Sequence, residues 1–190
     1  MPRPRTVEDD VILKAAAEAI GEHGPGGLTL HAVGAKVGLS PATLMQRFGS
    51  KRGLLLQLAA TGPGWASEKF EAASARYDSP TKALIEALKA MTAPVASPEA
   101  MANNLAFLQM DLQDPEFHRH SLAHAKAFRR GIESLLDDAR NAGELDPETD
   151  VKRLAEAVET VYNGALITWA VHRRGRVESH LARQLDTLLG

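Results

Sequence analysis

Between residues 29 and 52 the chain sets hydroxyls, an amide and cations at spacings suited to gripping a phosphate backbone. Thr29, Ser40 and Thr43 supply side-chain oxygens, Gln46 an amide, and Arg47 and Lys51 positive charge. At the ends of short helices such groups bind phosphate oxygens and fix register, while side chains on the outer face of an inserted helix read base edges. No acidic residue occurs between Glu22 and Glu68, a gap that holds Lys36, Arg47, Lys51 and Arg52. A polyanion meets no repulsion there. The net charge is -2 overall, yet the first 54 residues carry seven Lys and Arg against five Asp and Glu, so the basic end is the front.

Those residues need helices to present them. Apolar residues at Val11, Ile12, Ala15, Ala16, Ala19 and Ile20 recur at helical spacing. Thr6 and Asp9 resemble a capping box at the start of this first helix, and His23-Gly24-Pro25-Gly26-Gly27 stops it. Thr29 caps a short second helix that carries Leu30, Val33 and Val37 and ends at Gly38. Ser40 and Pro41 open a third, Pro41 to Arg47, anchored on its inner side by Leu44 and Phe48. The pattern predicts that Gln46 and Arg47 point away from that anchor. Ser50 caps a fourth helix from Lys51 to about Ala60, which Thr61-Gly62-Pro63-Gly64 is expected to break.

A short helix, a turn holding Gly38 and a second short helix make a helix-turn-helix, the unit that lays its second helix in the DNA major groove. The run Gly27-Leu28-Thr29 through Val33, Gly38-Leu39-Ser40, Thr43-Leu44, then Phe48-Gly49-Ser50-Lys51-Arg52-Gly53-Leu54-Leu55 resembles the TetR family of bacterial transcriptional regulators. The resemblance covers about the first 55 residues. It implies phosphate contacts at Thr43 and Lys51, with Thr29 well placed at a helix N-terminus. Pro41, Ala42 and Met45 occupy positions that read bases in some relatives and offer apolar contact, for example to a thymine methyl. His31 is a further base-proximal position. Two departures stand out. Met45 and Arg47 replace the family's usual Tyr and His, and Gly34 replaces a small Ala at a helix-propensity cost of up to about 1 kcal/mol. Arg3 and Arg5 precede the first helix and could enter the minor groove as an arm.

The remainder shows apolar stripes at helical spacing and no alternating run for a strand. The expected fold is therefore all-α: a helix-turn-helix DNA-binding domain over residues 1–50 and a larger helical ligand-binding and dimerisation domain over 51–190. A long helix from Asp150 to about Arg173 is apolar on more than one face, and a leucine stripe marks the last helix. Pairing both with their copies would give a four-helix bundle, as the resemblance also implies. The expected contacts are Val158, Val161, Tyr162, Ala165, Leu181, Leu185 and Leu188. In this family the middle helices enclose a small-molecule pocket. Its candidate walls here are Trp65, Phe70, Met101, Phe107, Met110, Phe128 and Trp169, with Asn103, Asn104, Gln109 and His124 as polar groups. A ligand there would shift the dimer to a state whose reading helices no longer match half-sites about 34 to 36 Å apart, with the fourth helix as lever.

Other chemistry finds less footing. His120 and His124 lie one turn apart, and an i, i+4 histidine pair can bind a divalent metal, so a metal-responsive regulator or a helical metal-binding protein is the competing reading. There is no phosphate-cradling Gly loop, no G-x-S-x-G, no H-E-x-x-H and no cysteine, so neither an enzyme nor a cofactor is expected. With 190 residues, 44% hydrophobic and 24% charged, the composition is that of a globular protein that needs no disulfide or metal staple. The opening MPRPRTVEDD lacks the apolar core of a secretory signal, and no apolar run reaches membrane-span length. A cytoplasmic location is the expectation. The expected partners are a palindromic double-stranded DNA operator, a second copy of the chain and an unidentified small-molecule effector.

Overall fold

The computed structural model describes residues 7–95 and 97–190. Arg3, Arg5 and the Thr6 cap lie outside the described residues. Among those described, the chain forms α1 (Asp9–Gly27), α2 (Leu30–Val37), α3 (Pro41–Phe48), α4 (Lys51–Arg76), α5 (Pro80–Ala90), α6 (Pro98–Gln113), α7 (Pro115–Asn141), α8 (Val151–His172) and α9 (Val177–Leu189). A single 3-10 turn (Ala93–Val95) joins α5 to α6. No described segment is a strand, and no described helix is long and apolar enough to cross a membrane.

Prolines begin four of these helices. Pro41, Pro80, Pro98 and Pro115 each occupy the first turn, behind the caps Ser40, Ser79, Ser97 and Asp114. There the missing N–H is one that the helix leaves unbonded anyway. α1 kinks at Gly24, whose φ is +68°, and resumes for one turn behind Pro25.

α4 departs from expectation, since Thr61-Gly62-Pro63-Gly64 does not end it and the helix runs on to Arg76. Pro63 removes one intrahelical donor, and Thr61 Oγ1 donates to the Leu58 carbonyl at 2.7 Å beside the gap. The stronger reason is tertiary. α4 packs along α7, where the Phe70 ring lies flush against Gly131, so close that a Cβ there would stand 2.0 Å from the ring. Phe70 then meets Phe128 edge-on at 5.7 Å, and Phe128 meets Tyr162 of α8 at 5.1 Å. Packing of that extent outweighs the roughly 3 kcal/mol cost of an internal proline.

Two cores result. The first gathers Ile12, Ala16, Leu28, Val33, Leu44 and Leu54 from α1 to α4, all fully buried. The second gathers Leu84, Leu88, Ile132, Leu136, Val158 and Leu181 from α5, α7, α8 and α9. α4 serves both: Leu54 and Leu55 lie in the first, Phe70 and Ala73 in the second.

The second core takes up most of the residues expected at a dimer contact. Val158, Tyr162, Ala165, Leu181 and Leu185 are buried inside the chain itself, while Val161 and Leu188 are only partly covered. The side of α8 left open carries Thr160, Asn163, Gly164, Ile167 and Val171, with Val171 74% exposed. An amphipathic pattern read without a neighbour cannot separate the stripe that closes a monomer from the stripe beside it.

Gly131→Ala should force the α4–α7 crossing apart and cost about 1 to 3 kcal/mol in urea unfolding. Gly64→Ala, at an exposed helical site where a Cβ meets nothing within 4 Å, should be neutral or add up to about 1 kcal/mol.

Candidate nucleic-acid interface

The caps expected around α3 form as hydrogen bonds. Thr29 Oγ1 accepts from the Ala32 N–H at 3.1 Å, Ser40 Oγ from the Thr43 N–H at 3.1 Å, and Ser50 Oγ from the Gly53 N–H at 2.9 Å. Gly38 turns the chain between α2 and α3 with φ +70°, in the left-handed region. Leu44 and Phe48 bury the inner side of α3, at 0% and 7% exposed. Its two ends rest on glycines. A Cβ at Gly34 of α2 would stand 2.4 Å from the Leu39 carbonyl oxygen, and one at Gly53 of α4 2.0 Å from that of Phe48. Gly34 therefore marks a close backbone contact rather than a simple loss of helix propensity.

Anchored this way, α3 turns Pro41, Ala42, Met45 and Gln46 to solvent, with Met45 49% exposed. Thr29 and His31, at the start of α2, are exposed as well, and Thr43 is half-buried with its hydroxyl 2.9 Å from that of Ser40. Lys51 is half-buried, and its ammonium donates to the Gly26 carbonyl at 3.1 Å. An ammonium has three donors, so this bond leaves two for another acceptor.

Arg47 does not point outward as its spacing suggested. Its Nη1 donates to the Val7 carbonyl and to Asp9 Oδ1, the latter at 3.1 Å, so the guanidinium ties α3 to the entry of α1. The outer face of α3 consequently carries no charged side chain.

The first core is clasped to the rest of the chain at the opposite end. Arg52, one residue into α4, donates from Nη2 to Asp114 Oδ2 at 2.7 Å and from Nη1 to Glu116 Oε2 at 2.6 Å. The Asp114 carboxyl is held below its ordinary pKa chiefly by the hydrogen bond from Arg52. The guanidinium carbon also sits 5.4 Å from the centre of the Phe117 ring. Phe117 begins α7, yet at 1% exposed it belongs to the first core. Asn103 of α6 adds a third tie, donating from Nδ2 to the Gly21 carbonyl at 2.9 Å. Nothing in the sequence pointed to the Arg52 clasp, whose carboxylates lie 62 and 64 residues away.

Asp111 stands one turn before the clasp, 9% exposed, and its Oδ1 has no hydrogen-bond partner among the described residues. Burial pushes its pKa from 3.8 up to about 6, against a smaller lowering by His118.

The candidate pocket walls divide. Trp65, Asn104 and Phe107 line a cavity of about 620 Å³ between α1, α4 and α6. Its third wall, Leu13, Ala17 and Ile20 of α1, was not expected. Phe70, Met101, Phe128 and Trp169 are instead packed in the second core, where Trp169 Nε1 donates to the Gly175 carbonyl at 3.0 Å. Met110 lies on a separate hollow of about 500 Å³ beside Arg52 and Phe117. Gln109 is exposed, and Asn103 is spent on Gly21. His124 faces α4, with Nδ1 3.2 Å from where a Gly62 Cβ would stand, and that nitrogen is buried without a hydrogen-bond partner among the described residues. No three His, Asp or Glu side chains converge as a metal set among the described residues, so nothing joins His120 and His124.

The family model described as bacterial regulatory proteins, tetR family, matches residues 12–58, and that described as BetI-type transcriptional repressor, C-terminal, matches residues 80–190. The HTH-type transcriptional repressor AcnR of Corynebacterium diphtheriae is 25% identical over 175 residues, spanning 92% of this chain and 86% of its own. Among solved structures, the regulator FadR of Bacillus subtilis, in complex with stearoyl-CoA, superposes with a TM-score of 0.72 at 17% identity, covering 96% of this chain and 98% of its own. A transcriptional regulator from Saccharomonospora viridis, in complex with choline, gives 0.76 at 18% identity, covering 94% and 93%.

A carboxyl whose pKa is raised by folding binds its proton more tightly in the native state, so stability is greatest below the unfolded pKa and falls as pH rises. Asp111 should remove up to about 3 kcal/mol between pH 3.8 and about 6. Asp111→Asn should flatten that part of the stability curve, measured by urea unfolding across the pH range.

Proposed function

Because the chain belongs to the tetR family of bacterial transcriptional regulators, we propose that it is a cytoplasmic repressor that binds a palindromic DNA operator as a homodimer and releases it on meeting a small-molecule effector. The observation that carries this reading is the outer face of α3. It is uncharged, exposed and rigidly backed by Leu44 and Phe48, and it stands between hydroxyl and ammonium groups suited to phosphate.

In this reading α1 to α3, with the start of α4, form the reading head, and the remaining helices form the effector and dimer body. Thr29, Thr43 and Lys51 hold phosphates on either side of the groove. Ser40 supports Thr43, and Arg47 fixes the approach of α1 rather than touching DNA itself. Met45, Ala42 and Pro41 pack against thymine methyls, and the Gln46 amide reads an adjacent base edge. His31 flanks them.

One head gives too little contact for tight specific binding, which is the physical argument for a dimer. The open side of α8, Asn163, Gly164, Ile167 and Val171, is the surface for it. Repression follows the relative named a repressor, and effector response follows the neighbours solved with stearoyl-CoA and choline. An effector acts by favouring a dimer whose heads no longer match the half-sites.

With about three phosphates held per head, and so about six per dimer, operator affinity should fall about 10³-fold between 50 and 200 mM salt. A gel-shift series at fixed temperature reads this. Lys51→Ala should weaken all sequences alike, whereas replacing operator thymines by uracil should cost about fourfold for each methyl that Met45 or Ala42 covers. Met45→Ala should abolish most of that methyl dependence.

A further inference from the structure

The cavity between α1, α4 and α6 lies on the seam that joins the two cores. Leu13 and Ile20 on one side and Leu58, Trp65 and Phe107 on the other are apolar and mostly buried. Its charged lining is exposed and so stands at the mouth: Asp10 and Lys14 on α1, Glu68 on α4. None of these three is ion-paired with another charged side chain among the described residues. Asp10 Oδ1 accepts from the Val11 N–H at 2.8 Å, whereas the Glu68 carboxylate makes no hydrogen bond among the described residues.

We propose that this seam cavity is a binding site for a small amphipathic amine, with its apolar tail among Leu13, Leu58, Trp65 and Phe107 and its ammonium at the Glu68 carboxylate. The volume, about 620 Å³, falls in the range of small-molecule sites. An N–H-bearing cation pairs with that carboxylate by charge-assisted hydrogen bonds. Its place is what makes it regulatory. One wall is α1 of the reading head and the others are α4 and α6 of the body, so an occupant touches both and acts as a wedge between them. The inference rests on the effector-responsive reading above and gives that effector a site and a chemical class.

The probe is octylamine, with octanoate as its anionic counterpart, titrated by calorimetry into the unaltered protein. Emission is followed in a Trp169→Phe variant, where Trp65 is the remaining tryptophan of the two in the chain. Saturable octylamine binding is expected, at least about tenfold tighter than octanoate and with a shift in Trp65 emission. Ala17→Phe should fill the cavity and abolish it, and Glu68→Gln, an exposed change that leaves the fold intact, should weaken it several-fold. Octanoate binding as tightly as octylamine would overturn the proposal. So would octylamine binding unchanged by both variants, or no binding of octylamine to a protein that still holds its operator. Octylamine binding of the expected kind that leaves operator affinity constant supports the site and counts against effector release instead.

Discussion

The architecture depends on one steric constraint: α3 can face outward only because its inner side has nowhere else to go. Leu44 and Phe48 fill the first core, and burying two such side chains is worth about 3 to 6 kcal/mol, far more than an eight-residue helix could supply from propensity alone. At both ends the backbone presses on glycine, at Gly34 before the helix and Gly53 after it. Those contacts set the height and tilt of α3 to within the size of a methyl group. A short helix held at three points in this way is rigid, and its free face is defined by what the other face gives up.

The same economy governs how the head meets the body. α4 is one continuous helix whose first turns close one core and whose last turns enter the other, so a tilt at either end is felt at both. The Arg52 clasp, with the Phe117 ring beside it, pins the head to α7, and the Asn103 tie pins it to α6. Between these pins the seam is not filled. On the proposed reading, a ligand seated there would bias one head orientation over another.

How much of this the sequence disclosed depended on range. The caps Thr29, Ser40 and Ser50, the turn at Gly38 and the anchors Leu44 and Phe48 were readable because each is decided by residues within four positions. α4 outruns its local signal because Gly62 and Pro63 announce a break locally, while the packing of Phe70 on Gly131 that overrides it lies far along the chain. Arg47 departs from its local pattern for the same reason, its partners Val7 and Asp9 being about 40 residues away. The stripes expected at a dimer contact and a pocket are the pattern any helical core shows, and most of their residues lie in that core. Only Trp65, Asn104 and Phe107 reached the cavity, whose α1 wall no local pattern could announce.

Footprinting the unaltered protein on DNA flanking its own gene tests the central claim most directly, because it asks at once whether α3 enters a major groove and whether two heads act together. Two protected half-sites related by a two-fold axis, with centres about one helical turn apart, are the predicted result. A folded protein that protects no stretch of that DNA, at a salt concentration low enough for phosphate contacts to hold, and that sediments as single chains would contradict it.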